Sequence, residues 1–264
     1  MPRVAVAQFA PGPEPEANAG AVARLAAAAR ADGADLVVLP EFSSFFEPRM
    51  TERFVQAAEA LDGPFTASVV AAAEELGITI VFGLVERGTG ERFRNAAVAV
   101  DGSGVLAVYR KTHLYDAFGA RESDRVEPGD LDQVAVFDLA GLPVGLQTCY
   151  DLRFPEVTRR LADAGAELVL VPADWVPGPR KVHHGRTLVL ARAIENTLYV
   201  AAAGQVPPSG VGTSLIVDPV GEVLAELGDA PGTAVADVDR SLVDAVRRVN
   251  PALALRRYAV VPRG

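Results

Sequence analysis

The stretch "GLPVGLQTCYDLRFPE" (residues 141–156) holds the single cysteine of a 264-residue chain, Cys149, at the point where an apolar run gives way to charge. Two other reactive side chains stand in comparable places. Glu41 follows "DLVVLP" and Lys111 follows "VLAVYR", and each run has the β-branched, apolar character of a strand. In α/β folds, ligands collect at the carboxyl ends of strands, so three such ends carrying a carboxylate, an ammonium and a thiol define a candidate site. Singly, each residue has an ordinary reading: a lone cysteine is most often a small buried hydrophobe, a glutamate after proline starts a helix, and a lysine at a strand exit is solvated. Together they are the set that thiol-based acyl transfer requires, a nucleophile with a base and a counter-charge. Moving a proton from a free thiol to a free glutamate costs about 5.7 kcal/mol. The site must close most of that gap, by burying the carboxylate and by placing a cation beside the thiolate.

The elements that position these residues follow from the pattern of the chain. "RVAVAQF" reads as a strand, "NAGAVARLAAAARADGA" as an alanine-rich helix stopped at Asp32-Gly33, and "DLVVLPE" as a second strand, which together make a β-α-β unit. A helix over 63–77 feeds the strand "ITIVFGLVE", and "FRNAAVAV", "DGSG" and "VLAVYRK" form a hairpin. A polar loop over 112–132 leads to "VAVFDL", a turn at "AGL", and a strand that runs to Cys149. Pro155 then opens a helix, 167–171 is a strand, and the helix "HHGRTLVLARAIEN" precedes the strand "LYVAAAG". Two β-α-β units with hairpins between them predict two sheets, each with helices on one face. The expected fold is a four-layer α-β-β-α sandwich, a single α/β domain over residues 1–264.

Composition narrows the function. Half of the residues are hydrophobic and 22% are charged, enough apolar material for a large core. The net charge of -9 opposes binding to nucleic acid or to an anionic membrane, which need clustered Lys and Arg. One cysteine leaves no intramolecular disulfide and suits a reducing compartment, and neither a signal-peptide core nor an 18-residue apolar span is present, so a cytoplasmic protein is expected.

"LPEF", "YRKTHLYD" and "CYDLRFPE" resemble the three signature segments of the nitrilase superfamily of carbon-nitrogen hydrolases, and in particular its Nit-type amidases, the ω-amidases and deaminated glutathione amidases. The likeness runs from "VAQF" through "ESDRVEPGD" and "RAIENTLYVAAAG" to "DPVGEVLAE". It implies an α-β-β-α fold and hydrolysis of a non-peptide C–N bond, without cofactor or metal, by a Glu41-Lys111-Cys149 triad. Glu122 matches the family's second active-site glutamate, and Lys111 with the backbone N–H of Tyr150 would hold the oxyanion. The implied partners are a small-molecule amide and a second copy of the chain in a homodimer, for which the apolar tail "RYAVVP" is a candidate contact.

The substrate end of the pocket is expected at Arg153, Asp174 and Trp175. An acidic chain that recognises a small carboxylate needs a dedicated cation, and arginine grips a carboxylate through two parallel hydrogen bonds. The competing reading pairs Arg153 with Asp151 or Glu156 as a structural bridge. Three positions depart from the family pattern and are expected near the pocket wall: Gly185 where an aromatic is usual, Leu190 where arginine is common, and Asp174 where a small or amide residue is usual. They leave the substrate open among an ω-amide, deaminated glutathione, a carbamoyl compound and a nitrile.

Other chemistries have less support. A Cys-His hydrolase would draw its base from His113, His183 or His184, of which His113 in "KTHLYD" is expected to make a structural hydrogen bond. A metal site on His183 and His184 would lack H-E-x-x-H spacing, and no P-loop, G-x-S-x-G elbow or dinucleotide fingerprint occurs. A non-catalytic scaffold of the same fold would not need all three of Glu41, Lys111 and Cys149.

Overall fold

Period-two alternation settles which way each strand faces. In β1 (Arg3–Gln8), Val4 and Val6 point to one side and Ala5 and Ala7 to the other. The valines meet Leu36 and Val38 of β2 (Leu36–Val38), Val144 and Leu146 of β7 (Leu142–Leu146), and Leu168 and Leu170 of β8 (Leu168–Ala173) in a core between two sheets. The alanines, with Val37, Ile80 and Phe82, pack against Val22, Ala26 and Ala29 of α1 (Pro15–Ala31) and Phe65 and Val69 of α3 (Pro64–Leu76). On the far side, Val169, Val171 and Val200 cover Leu161 of α4 (Pro155–Asp163) and Val189 and Ala193 of α5 (Lys181–Asn196). Because both faces of the sheets are covered, the central strands read as near-continuous apolar runs instead of alternating ones. The architecture is the expected α-β-β-α sandwich, seen in a computed structural model that describes residues 1–263.

Each sheet has six strands. The first runs β12 (Gly232–Asp237), β1, β2, β3 (Thr79–Arg87), β4 (Phe93–Asp101), β5 (Gly104–Arg110), and the second β11 (Val223–Glu226), β10 (Leu215–Val217), β9 (Tyr199–Gly204), β8, β7, β6 (Val136–Leu139). β3, β4 and β5 form the antiparallel side of the first sheet, and β6 pairs antiparallel with β7. β9 is parallel to β8.

Several boundaries differ from the sequence reading. α1 begins at Pro15, whose fixed φ suits the first helical position, and α5 begins at Lys181, two residues before His183. The loop over 112–132 contains a 3-10 turn, Glu122–Asp124. β7 stops at Leu146 instead of running to the cysteine, and Cys149 opens a 3-10 turn, Cys149–Arg153. The sequence reading also lacked α2 (Glu52–Ala57), β10 (Leu215–Val217), β11 (Val223–Glu226), β12 (Gly232–Asp237) and α6 (Arg240–Val249). β12 is only half-buried and carries no strong apolar run, yet it pairs with β1 along its whole length. The segment "RYAVVP" lies partly against its own chain, where Val260, Val261 and Pro262 line a groove with Tyr109 and His113.

Two packing features fix the segment that bears Glu41. After β2 the chain continues along β3, with Pro40 O accepting from Gly83 N–H at 3.1 Å and Gly83 O accepting from Ser44 N–H at 3.0 Å. A Cβ on Gly83 would fall 2.7 Å from the Cα of Glu41, so only glycine admits this approach. Beyond it, Phe42, Phe45, Phe46, Phe54 and Phe93 build a separate apolar cluster, with Phe54 stacked on Phe93 at 5.3 Å and Phe45 edge-on to Phe54 at 5.0 Å. Gly83→Ala is expected to cost about 1–3 kcal/mol of stability by overpacking and to displace Glu41. Chemical denaturation and turnover check this, and a variant with wild-type stability and rate would contradict the role given to Gly83.

Candidate active site

Glu41 and Lys111 meet from opposite strands of the first sheet. Lys111 directly follows β5, with its N–H donating to Asn95 O at 2.8 Å, and its ammonium turns inward. Lys111 Nζ donates to Glu41 Oε1 at 2.9 Å and to Glu122 Oε2 at 2.8 Å, and all three side chains are buried. Burial alone would lower the lysine pKa, but the charges of Glu122 and Glu41 raise it well above the ordinary value, so the ammonium stays charged. Glu122 Oε1 accepts from Asn95 Nδ2 at 3.0 Å, and its Oε2 also takes the N–H of Tyr115 at 2.6 Å. Asn95 Nδ2 in turn donates to Glu41 Oε1 at 2.7 Å. Asn95 is therefore a bridge between the two glutamates that the sequence reading missed. Its signal was present: an amide inside the apolar run "FRNAAVAV", where a buried polar group needs a partner.

The second sheet contributes the thiol. Cys149 has φ +43°, a left-handed conformation that is costly for a residue with a Cβ. Asp151 holds this elbow, with Oδ2 accepting from Tyr109 OH at 2.8 Å and Thr148 N–H at 3.2 Å, and Oδ1 accepting from His113 N–H at 3.1 Å and facing His113 Nδ1 at 2.8 Å. The hydrogen bond expected of His113 is thus made to Asp151, and its ring stacks on Phe154 at 3.7 Å. Cys149 Sγ lies 3.5 Å from Asp174 O, while Asp174 N–H donates to Glu41 Oε2 at 2.7 Å. The backbone of one residue at the β8 exit, Asp174, thereby touches both thiol and carboxylate.

Burial pushes the Cys149 thiol well above its ordinary pKa; the Glu41 charge adds to this and Lys111 opposes it. The stabilisation of a thiolate by Lys111 that the sequence suggests is present but outweighed, and the cysteine rests as a thiol. Asp174 is also raised well above the carboxylate range, by burial and then by Glu41. Tyr150, second residue of the 3-10 turn, has a backbone N–H without an acceptor inside the turn, as a helix start dictates.

A cavity of about 760 Å³ gathers Glu41, Lys111, Glu122, Cys149, Tyr150, Arg153, Asp174 and Trp175. Among the described residues Arg153 forms no ion pair, so the bridge to Asp151 or Glu156 is not made, and its Nε and Nη2 are buried without a partner. Its guanidinium lies over Trp175 at 5.1 Å, and the indole is fixed by donating to Lys181 O at 2.8 Å. Of the three departures from the family pattern, only Asp174 is on this wall. Gly185 lies behind it, where a Cβ would come 3.2 Å from the Trp175 indole, and Leu190 packs into the apolar cluster between α5 and the second sheet. Asp174 thus lines the wall, Gly185 backs it, and Leu190 stands in the core behind. His183 and His184 sit side by side on α5 with ring centroids 6.1 Å apart.

A sequence family described as carbon-nitrogen hydrolase matches residues 3–248. The chain is 38% identical over 256 residues to the deaminated glutathione amidase of Escherichia coli O157:H7, covering 97% of each. It is 40% identical over 263 residues to a hydrolase of Mycobacterium tuberculosis, covering 93% of this chain and 92% of the relative. Its structure is similar, with a TM-score of 0.83 and 30% identity over 97% of this chain and 94% of the other, to a double mutant of an amidase from Nesterenkonia sp. AN1 in complex with acrylamide. A further structure of that amidase carries the acetamide moiety of fluoroacetamide covalently at its active-site cysteine.

The Glu41 charge raises the Cys149 pKa and Lys111 lowers it, so Glu41→Gln removes the raising charge and keeps the lowering one. The pH midpoint for alkylation of Cys149 by iodoacetamide is expected to fall in Glu41→Gln relative to wild type. An unchanged or higher midpoint would contradict the electrostatics described.

Proposed function

The chain belongs to the carbon-nitrogen hydrolase family, and from that footing we propose that it is an amidase hydrolysing a small linear amide with a remote carboxylate, through a thioester on Cys149. The observation that carries the substrate class is Arg153, an unpaired and partly buried guanidinium in the same cavity as Cys149. The names of relatives, amidases of deaminated glutathione among them, support the amide.

The steps follow from the protonation states. With the substrate carbonyl over Cys149, Glu41 accepts the thiol proton as Sγ attacks, so the raised thiol pKa is met by coupling proton transfer to C–S bond formation. The charge that appears on the carbonyl oxygen is held by Lys111 Nζ and the Tyr150 N–H. Protonated Glu41 returns its proton to the nitrogen, the C–N bond breaks, and ammonia or an amine leaves a thioester. Water then gives a proton to Glu41 and attacks the thioester; the acid departs and the thiol is restored. Both Glu122 oxygens are occupied by Asn95, Lys111 and Tyr115, which favours positioning of Lys111 over orienting the water. A carbamoyl compound or a nitrile would use the same three residues, and the amidases among the relatives favour the amide over these.

Three outcomes are expected. Cys149→Ala loses turnover with its fold intact, and mass spectrometry of the wild type with a slow amide finds an acyl group on the peptide containing Cys149. Arg153→Ala loses about 10- to 100-fold in kcat/KM on a carboxylate-bearing monoamide, the worth of one charge-assisted contact, and little on a neutral amide of equal length. Equal losses on both amides would leave Arg153 structural. EDTA leaves the rate unchanged, and a loss restored by zinc would revive the histidine pair.

A further inference from the structure

Among the acids that line the cavity, Glu41 and Glu122 are paired with Lys111, Glu47 with Arg53 and Asp124 with Arg121, whereas Asp174 makes no ion pair among the described residues. It directly follows β8, is partly exposed on the cavity wall, and keeps its Oδ1 buried without a hydrogen-bond partner. An ionised carboxylate is costly there. Glu41 and Glu122 bring like charge from the first sheet, and the ammonium of Lys111 is already shared by both. Burial and then Glu41 hold the Asp174 carboxyl well above the usual carboxylate range, beside a Cys149 that is itself an uncharged thiol, so Asp174 carries its proton. A protonated carboxyl offers an O–H donor as well as an acceptor oxygen. The reaction above uses only the backbone of this residue.

That backbone fixes where the donor can reach. Asp174 O lies 3.5 Å from Cys149 Sγ, and Asp174 N lies 2.7 Å from Glu41 Oε2. With the scissile carbon over Sγ, the carbonyl oxygen faces Lys111 and the Tyr150 N–H and the nitrogen faces Glu41, so the third substituent, the first carbon of the acyl chain, is left to a side chain rooted beside the thiol. We infer that Asp174 is a specificity-determining residue that donates its O–H to the substrate, and that the preferred amide carries an acceptor oxygen, as a hydroxyl or a ketone, on the carbon next to the scissile carbonyl. This rests on the amidase reading and is independent of any carboxylate at Arg153. An amide side chain at position 174 would keep the donor, and a small one would lose it.

The test measures kcat/KM of the full-length enzyme on three amides of matched chain length: unsubstituted, with a hydroxyl on the carbon next to the carbonyl, and with a ketone there. Such an oxygen alters the reactivity of the carbonyl by itself, so the quantity read is the ratio of oxygenated to unsubstituted amide in wild type divided by the same ratio in Asp174→Ala. It is expected to be about 3- to 10-fold for both oxygenated amides, the worth of one neutral hydrogen bond. Asp174→Asn, which keeps a donor of the same shape, retains most of that factor. The infrared difference spectrum of wild type against Asp174→Asn at neutral pH is expected to show the carbonyl stretch of a protonated carboxyl. The inference is overturned if wild type and Asp174→Ala give the same ratios, if Asp174→Asn behaves as Asp174→Ala does, or if the spectrum shows an ionised carboxylate in place of the acid. Failure of the amidase reading has a different signature, no ammonia from any of the three amides whichever residue stands at position 174.

Discussion

A single buried ammonium organises the centre of this protein. Lys111 sits buried between Glu41 and Glu122 at the floor of the cavity, and each carboxylate is tolerable there because the lysine and Asn95 satisfy it. Removing one member of such a set would leave an uncompensated charge in a medium of low polarity, a loss of several kcal/mol. The arrangement links β4, β5, the segment after β2 and the 3-10 turn at Glu122, none of which could move alone without breaking it. The Glu41 backbone is held as firmly from outside, by Gly83 along one side and by Gln205 Nε2 donating to Glu41 O at 2.9 Å from the second sheet.

Opposed to this rigid charge cluster is a strained elbow. Cys149 pays for its left-handed backbone through the four contacts made by Asp151, a carboxylate with no solvent exposure. The strain places Sγ beside Asp174 O, and the backbone of Asp174 ties the elbow to Glu41. Thiol and carboxylate therefore belong to different sheets but both touch the backbone of this one residue. A thiol raised by burial and by a neighbouring carboxylate stays protonated and is spared the side reactions of a standing thiolate.

The outer half of the cavity follows a different rule. Aromatic rings there, Phe118 and Trp175, supply faces to cations that have no acid beside them. Gly185 makes room for this, since any side chain at that helical position would press on the Trp175 indole.

The four layers, most strands that lead to the site, and the placing of Glu41, Lys111 and Cys149 near strand ends could be read from the sequence, because apolar runs report burial and three short motifs mark where the runs stop, whereas Glu122, in a loop, was marked only by the family resemblance. Local pattern does not report distant pairing. β12 has no strong apolar signature and exists through its partner β1, and β7 ends three residues before the cysteine because the elbow is held by Asp151 contacts from Tyr109 and His113, far off in the chain. Asn95 as a bridge, the burial of Lys181 beside Tyr115, and the absence of an acid beside Arg153 were decided in three dimensions. Sequence fixes which groups are available and roughly where strands end. Which charges are compensated, and which are left unpaired, depends on side chains brought together from separate elements, and that is settled only when the sheets pack.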